Sequence, residues 1–153
     1  MLFREPEPVK RIRFTIPGKP VAKGRPRVGK GYTYTPKKTV QGQDFARNAF
    51  LERAAPELPG GRPWEGPVQL YIRSFYPAPK SRPKWWKALL PLPKTTYPDG
   101  DNLYKLIADA LNSVAYADDR QIWRGIYESW YHDGPAETAV VLSLYPEPTE
   151  DKS

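Results

Sequence analysis

Nineteen of the 153 residues are proline, about 12% where a globular average is near 5%. They are scattered along the chain rather than gathered in one tail. Each fixes φ and removes a backbone donor, which excludes it from helix interiors and central strands. The chain must therefore fold from short elements joined by stiff connections, with regular structure kept to proline-free windows.

Those windows carry legible periods. Residues 9–16 (VKRIRFTI) alternate, with Ile12, Phe14 and Ile16 opposite Arg11 and Arg13, and read as a strand. The Gly/Pro-rich stretch 17–36 reads as a basic loop with room for a small hairpin. Residues 37–54 fit a weakly amphipathic helix, with Val40, Phe45 and Ala49 on its inner face and Ala46, Phe50 and Arg53 beside them. Residues 68–75 (VQLYIRSF) read as a strand. Ser81 is placed to cap a short helix over 82–90, with Pro83 in its first turn.

The strongest helix signal lies over 101–114. Leu103, Leu106, Ile107, Ala110, Leu111 and Val114 share an apolar sector, and Asp101, Lys105, Asp109 and Asn112 lie opposite. Residues 121–131 and 137–145 read as two strands joined at HDGP as an antiparallel hairpin. The order predicts a mixed α/β (α+β) domain, a small mixed sheet with helices packed on it. One domain is expected over residues 1–153, frayed over about eight residues at each end.

Composition removes whole classes of chemistry. The chain has no cysteine and one histidine, His132, so disulfide scaffolds, zinc ribbons, thiol catalysis and multi-histidine metal sites are excluded. His132 is expected to be a surface residue of the hairpin turn. No run approaches the roughly 18 apolar residues of a membrane span, and the opening MLFREPEPVK lacks a signal-peptide core. The expected compartment is the cytoplasm.

Charge is informative through its distribution. The net +7 is uneven: Val9 to Gln43 holds ten bases and no acid, whereas Pro98 to Asp119 holds five aspartates and one base, Lys105. A basic surface is a polyanion footprint. Lys23, Arg25, Arg27, Lys30, Lys37 and Lys38 are the candidate phosphate contacts. A second cluster, Lys80, Arg82, Lys84, Trp85, Trp86 and Lys87, interleaves bases with aromatics that could stack on unpaired bases. At least one of the two tryptophans is expected in the core, and Trp64, Trp123 and Trp130 are expected to pack.

Carboxylates gathered inside a polyanion-binding protein would repel phosphate unless a divalent cation stood between them. The plainer account also stands. Asp101 is a good helix N-cap, Asp101–Lys105 and Lys105–Asp109 are i,i+4 pairs worth about 0.3–0.5 kcal/mol each, and Asp118-Asp119 fits a turn.

The run Asp99-Gly100-Asp101-Asn102-Leu103, then Lys105, then Asp109-Ala110-Leu111-Asn112, then Asp118-Asp119-Arg120-Gln121-Ile122 resembles the RusA family of Holliday junction resolvases. That family carries PD-x-DN-L-x-K, DAL and DD-x-QI at similar spacing. Upstream, PGKPVAKGRPR (17–27) and YTPKK (34–38) also resemble family segments. The resemblance implies a RusA-like fold and a homodimeric, magnesium-dependent endonuclease, often phage- or prophage-encoded, that cuts four-way DNA junctions. Manganese is expected to substitute for magnesium.

Position by position, the resemblance implies that Asp99, Asp101 and Asp119 are catalytic carboxylates holding the metal and that Lys105 is an essential lysine. Asn102 matches a neighbour of the site; Asp118 and Asp109 match motif positions of less settled role. Lys84 and Lys87 join the N-terminal bases as expected DNA contacts. Two positions depart from the family: Tyr97 stands where many members have lysine, and WRGIYESWYHD lacks the lysine often found after DD-x-QI. Two other readings stay open: a nuclease acting on other branched DNA, and a non-catalytic DNA-binding protein.

Overall fold

A computed structural model describes residues 3–21, 23–24, 27–34, 36–96 and 99–148. Five strands form one mixed sheet: β1 (Lys10–Pro17), β4 (Val68–Pro77), β5 (Leu92–Pro93), β6 (Ile122–His132) and β7 (Glu137–Leu144). A separate hairpin, β2 (Arg27–Gly29) with β3 (Tyr32–Tyr34), rises from the basic loop. The helices are α1 (Lys37–Arg53), a single turn α2 (Lys84–Lys87) and α3 (Gly100–Ala110). The mixed α/β expectation holds.

Proline placement follows the backbone argument. Pro36 and Pro83 precede α1 and α2, and Pro17, Pro77 and Pro93 close their strands. Pro17 and Pro93 also sit on the two sheet edges, because the strand order is β1-β7-β4-β6-β5.

That order overturns the hairpin expected at HDGP. β6 and β7 are not neighbours: β4 lies between them, parallel to β6 and antiparallel to β7. Val68, Leu70 and Ile72 of β4 are fully buried, and such a strand gains most from a central place. The link from His132 to Glu137 passes over the end of β4, where Pro77 pairs with His132 and Phe75 with Glu137. Five peptide steps reach roughly 16 Å, enough to span two strand spacings of about 4.8 Å.

The core lies between the sheet and α1 and α3. Ile12, Phe14 and Ile16 meet Val140 and Leu142 on the sheet; Ala46, Ala49 and Phe50 face them from α1, with Leu103, Leu106 and Ile107 from α3. Phe14 and Phe50 meet edge to face at 5.5 Å. Truncating a buried phenylalanine such as Phe50 costs about 3–5 kcal/mol. On α1 the inner face is Thr39, Ala46, Ala49 and Phe50, so Val40 and Phe45, expected inside, are exposed. The short helix is capped by Pro83 in extended backbone rather than by Ser81. α3 stops four residues before the expected 114, because Ser113 takes a left-handed φ of 67° and its N–H turns to Tyr116 O.

Candidate active site on helix α3

α3 begins directly against β6. A Cβ at Gly100 would stand 2.6 Å from Cδ2 of Tyr127 and 3.3 Å from Oγ of Ser129, so the glycine permits that close approach. The residue between the two aspartates therefore has a packing requirement of its own. Asp99, not Asp101, is the N-cap residue, and its side chain makes no capping hydrogen bond. The helix leaves that carboxylate uncommitted. Asp101 is half-exposed in the first turn, 3.1 Å from Lys105 Nζ.

The expected Lys105–Asp109 pair is replaced by another. Asp109 binds Lys23 Nζ, and the Lys23 backbone N–H donates to Asn102 O at 3.1 Å. Lys23, read from the sequence as a phosphate contact, thus straps the basic segment along α3. Its ammonium is already shared with a carboxylate.

The DDRQ motif is a built turn. Asp118 caps a single 3-10 turn, Asp119–Gln121: its Oδ1 accepts from Arg120 N at 2.9 Å, and Gln121 Oε1 accepts from Asp118 N at 2.8 Å. Gln121 Nε2 donates to Trp64 O (2.7 Å) and Gly66 O (2.9 Å). Asp118 is occupied with capping, which leaves Asp119 as the carboxylate presented. Gln121→Ala is expected to strip partners from two carbonyls at once, costing about 1–3 kcal/mol and lowering Tm by several degrees in thermal denaturation. An unchanged Tm would show that the turn holds without that anchor.

Asp119 sits in an unfavourable field. Partial burial raises its carboxyl above the ordinary 3.8, and the nearby charges of Asp109 and Asp118 add to this, against a hydrogen bond from Asn112. Burial first, and then Asp119, also raise the Tyr104 hydroxyl. Asn112 Oδ1 is buried with no hydrogen-bond partner. The structure therefore groups Asp119 with Asp109, Asp118 and Asn112.

Strand and helix direction explain this grouping. α3 runs antiparallel to β6, with Gly100 against Tyr127 and Ser129, and Tyr104 against the place a Gly125 Cβ would take. The chain entering β6 consequently passes the later turns of α3, and eight residues from Asp101 to Asp109 are about 12 Å of helix. Asp99 and Asp101 lie at the first turn, apart from the carboxylates that Asp119 meets. Among the described residues no group of three or more histidine, aspartate or glutamate side chains is arranged to hold a metal ion.

Residues 17–143 match the family model described as endodeoxyribonuclease RusA. The chain belongs to the RusA endodeoxyribonuclease family. It is also 34% identical over 144 residues to "uncharacterized protein YqaN" of Bacillus subtilis (strain 168), covering 87% of this chain and 96% of that protein. The RusA match spans both the basic N-terminal segment and every aspartate discussed above.

Set beside the cation expected of a RusA-type enzyme, the donors are of the right kind. They are hard oxygens, with an orphaned amide oxygen at Asn112 and a charge excess at Asp119. Magnesium is commonly held by only one or two carboxylates, with water and phosphate completing its octahedron. The described residues suit that open mode and not a closed cage of Asp99, Asp101 and Asp119.

The other expected contacts of this RusA-family chain divide by position. Lys30, Lys37, Lys38, Lys84 and Lys87 are exposed, and Lys87 Nζ donates to Lys80 O at 3.3 Å. Arg25, Tyr97 and the side chain of Arg27 fall outside the described residues. Neither tryptophan of the second cluster enters the core as expected, because the single-turn α2 buries no side chain. Trp85 is exposed, and Trp86 is half-buried against Tyr131 at 5.6 Å with Arg82 5.0 Å from its ring. Trp123, expected to pack, is 43% exposed but meets Tyr145 edge to face. His132 caps no catalytic group: its Nε2 lies 2.6 Å from Pro135 O.

Sequence reasoning missed the pairing role of Lys23 and the contact of Asn112 with Asp119. The i,i+3 spacing of Asp109 and Asn112 was the available signal, since such residues share a helix face. Nothing local could have brought Lys23 to that face.

Proposed function

We propose that this RusA-family chain is a structure-selective endodeoxyribonuclease that cuts four-way DNA junctions in recombination and repair, using magnesium and acting as a homodimer. One observation carries the reading. The acid-free basic segment is strapped by Lys23 onto the helix that bears Asp99, Asp101 and Asp109, so phosphate-attracting and carboxylate groups share one side.

The reaction is in-line hydrolysis. A water oxygen bonds to phosphorus, the P–O3′ bond breaks, and the products are a 5′-phosphate and a 3′-hydroxyl. Magnesium, or manganese in its place, held in an open shell by only one or two of the Asp99, Asp101 and Asp119 carboxylates, would supply Lewis-acid polarisation of the phosphate and a more acidic water. Lys105 contributes a point charge against the transition state. Asp101 holds its ammonium through a half-exposed pair that costs little to break. Lys30, Lys37 and Lys38 neutralise flanking phosphates, so affinity falls steeply with salt.

Paired incision of a near-two-fold substrate calls for two sites on one enzyme. The sheet face turned away from α1 and α3 supports a dimer. It bears Tyr71, Phe75, Ile126 and Trp130, and no helix among the described residues covers it.

The test is cleavage of a mobile four-way junction beside a linear duplex and a flapped duplex, with and without magnesium. Symmetric nicking of the junction alone, abolished by chelation, is the expected result. Equal cutting of flaps would move the reading to a general branched-DNA nuclease. Binding without any cutting would leave a non-catalytic DNA-binding protein.

A further inference from the structure

A groove of about 850 Å³ opens at the C-terminal ends of β4 and β6, beside the start of α1. Its walls include three lysines from separate segments: Lys19 of the basic loop, Lys38 of α1, and Lys94 after β5. Its floor includes Val21 and the aromatics Tyr76 and Tyr131, and among the described residues no carboxylate lines it. The reading of the acidic site uses neither Lys19, Lys94 nor the tyrosines.

Its aromatic part is held rigid. Lys94 Nζ lies 4.4 Å from the Tyr76 ring centre and 5.9 Å from that of Tyr131, and donates to Thr96 O at 2.8 Å. Thr96 Oγ1 and Tyr131 OH are 3.1 Å apart, and Trp86 meets the Tyr131 ring edge to face. Thr96 also lines the groove, and Asp99 follows three residues later, so the groove ends close to the first turn of α3.

We propose that this groove binds an unpaired DNA strand, with phosphates on Lys19 and Lys38 and a splayed base against Tyr131. The inference deepens the proposed function and rests on its reading of the chain as a DNA enzyme. Duplex DNA presents phosphates but keeps its base faces stacked, so it can use the lysines and not the rings. An opened strand offers both, and base–aromatic contact is indifferent to sequence because every base has a π-face. At the crossover point of a branched substrate base stacking is interrupted, so a strand opens there at lower cost than within a duplex.

The experiment measures binding of a fluorescein-labelled 15-mer of thymidylate and of a blunt 15-base-pair duplex, by anisotropy over a salt series in EDTA. Binding is thereby separated from cleavage. A Lys19→Ala/Lys38→Ala chain should lose two single-strand phosphate contacts, lowering the log–log salt slope by about 1.4. Tyr131→Leu should weaken the 15-mer at least about fivefold, with the salt slope and duplex affinity unchanged. Tyr131→Phe, which keeps the ring, should bind the 15-mer as the native chain does.

Native-like affinity of the lysine double variant for the 15-mer overturns the proposal. So does equal loss of 15-mer and duplex binding in Tyr131→Leu, which would mark a generic surface or a folding defect. The lysine variant changes only loop and helix-surface residues, so it remains decisive if Tyr131→Leu unfolds. Selective 15-mer binding by a chain that cuts no junction would uphold the groove and reject the nuclease reading.

Discussion

An Asp101→Asn chain is expected to bind a four-way junction at least as tightly as the native chain and to cut it at least about 10²-fold more slowly. That is the scale of losing one electrostatic contact that acts in the transition state. The replacement keeps shape and removes one negative charge. It also releases Lys105 from its 3.1 Å partner, making the surface more attractive to phosphate. Binding and cleavage should therefore move in different directions, which a folding defect cannot produce. Lys105→Ala is the companion probe, expected to lower kcat about 10²–10³-fold while leaving every carboxylate in place. Gel-shift titration and single-turnover cleavage read the two effects separately. Native-rate cutting by Asp101→Asn would reduce the first-turn aspartates to helix electrostatics.

Asp119→Asn should have two effects of opposite sign: loss of cleavage and a gain of stability at neutral pH. The folded-state carboxyl of Asp119 titrates above 3.8, first through burial and then through Asp109 and Asp118. Between 3.8 and that raised value the folded chain holds more protons at this site than the unfolded chain. Stability therefore falls as pH rises through this window and stays lower above it. Asparagine cannot ionise and removes the penalty. In EDTA, the Tm of the variant should exceed that of the native chain at pH 7, with the gain fading below about pH 3.8. Magnesium should narrow the difference, because a cation that binds only the native carboxylate stabilises only that chain. A Tm difference constant from pH 3 to 8 would refute this electrostatic account.

Under the proposed function, the raised carboxyl of Asp119 belongs to a site arranged for a partner rather than for stability. The same logic separates Asp119 from its neighbour. Asp118 is engaged in a reciprocal cap with Gln121, so its negative charge serves the turn. The two adjacent aspartates look equivalent in sequence and differ in their partners: Asp118 accepts from Arg120 N within its cap, whereas Asp119 is partly buried in the field of Asp109.

Much of the fold was legible because the signals were local. Alternation over 9–16 and 68–75 matched β1 and β4 within about two residues, as strand side chains must point to opposite faces. On α1, Ala46, Ala49 and Phe50 are buried whereas Val40 and Phe45 are exposed. The sequence offered only a fair amphipathic pattern there, too weak to fix which face turns inward. At the site, the Asp109–Asn112 face could be drawn from helical angle, but its partner Lys23 lies 86 residues away.

What the sequence by itself determined is the set of elements, the apolar side of α3, the acidic and basic segments, and the RusA motif order. Each depends on residue spacing within a few turns or on backbone chemistry such as proline's. Only the tertiary structure decided that β4 stands between β6 and β7, and that Asp119 meets Asp109 and Asn112 rather than Asp99 and Asp101. Strand order results from competition among distant apolar surfaces for the sheet centre. Once β6 runs antiparallel to α3, the direction of the chain determines which turn of the helix Asp119 can reach.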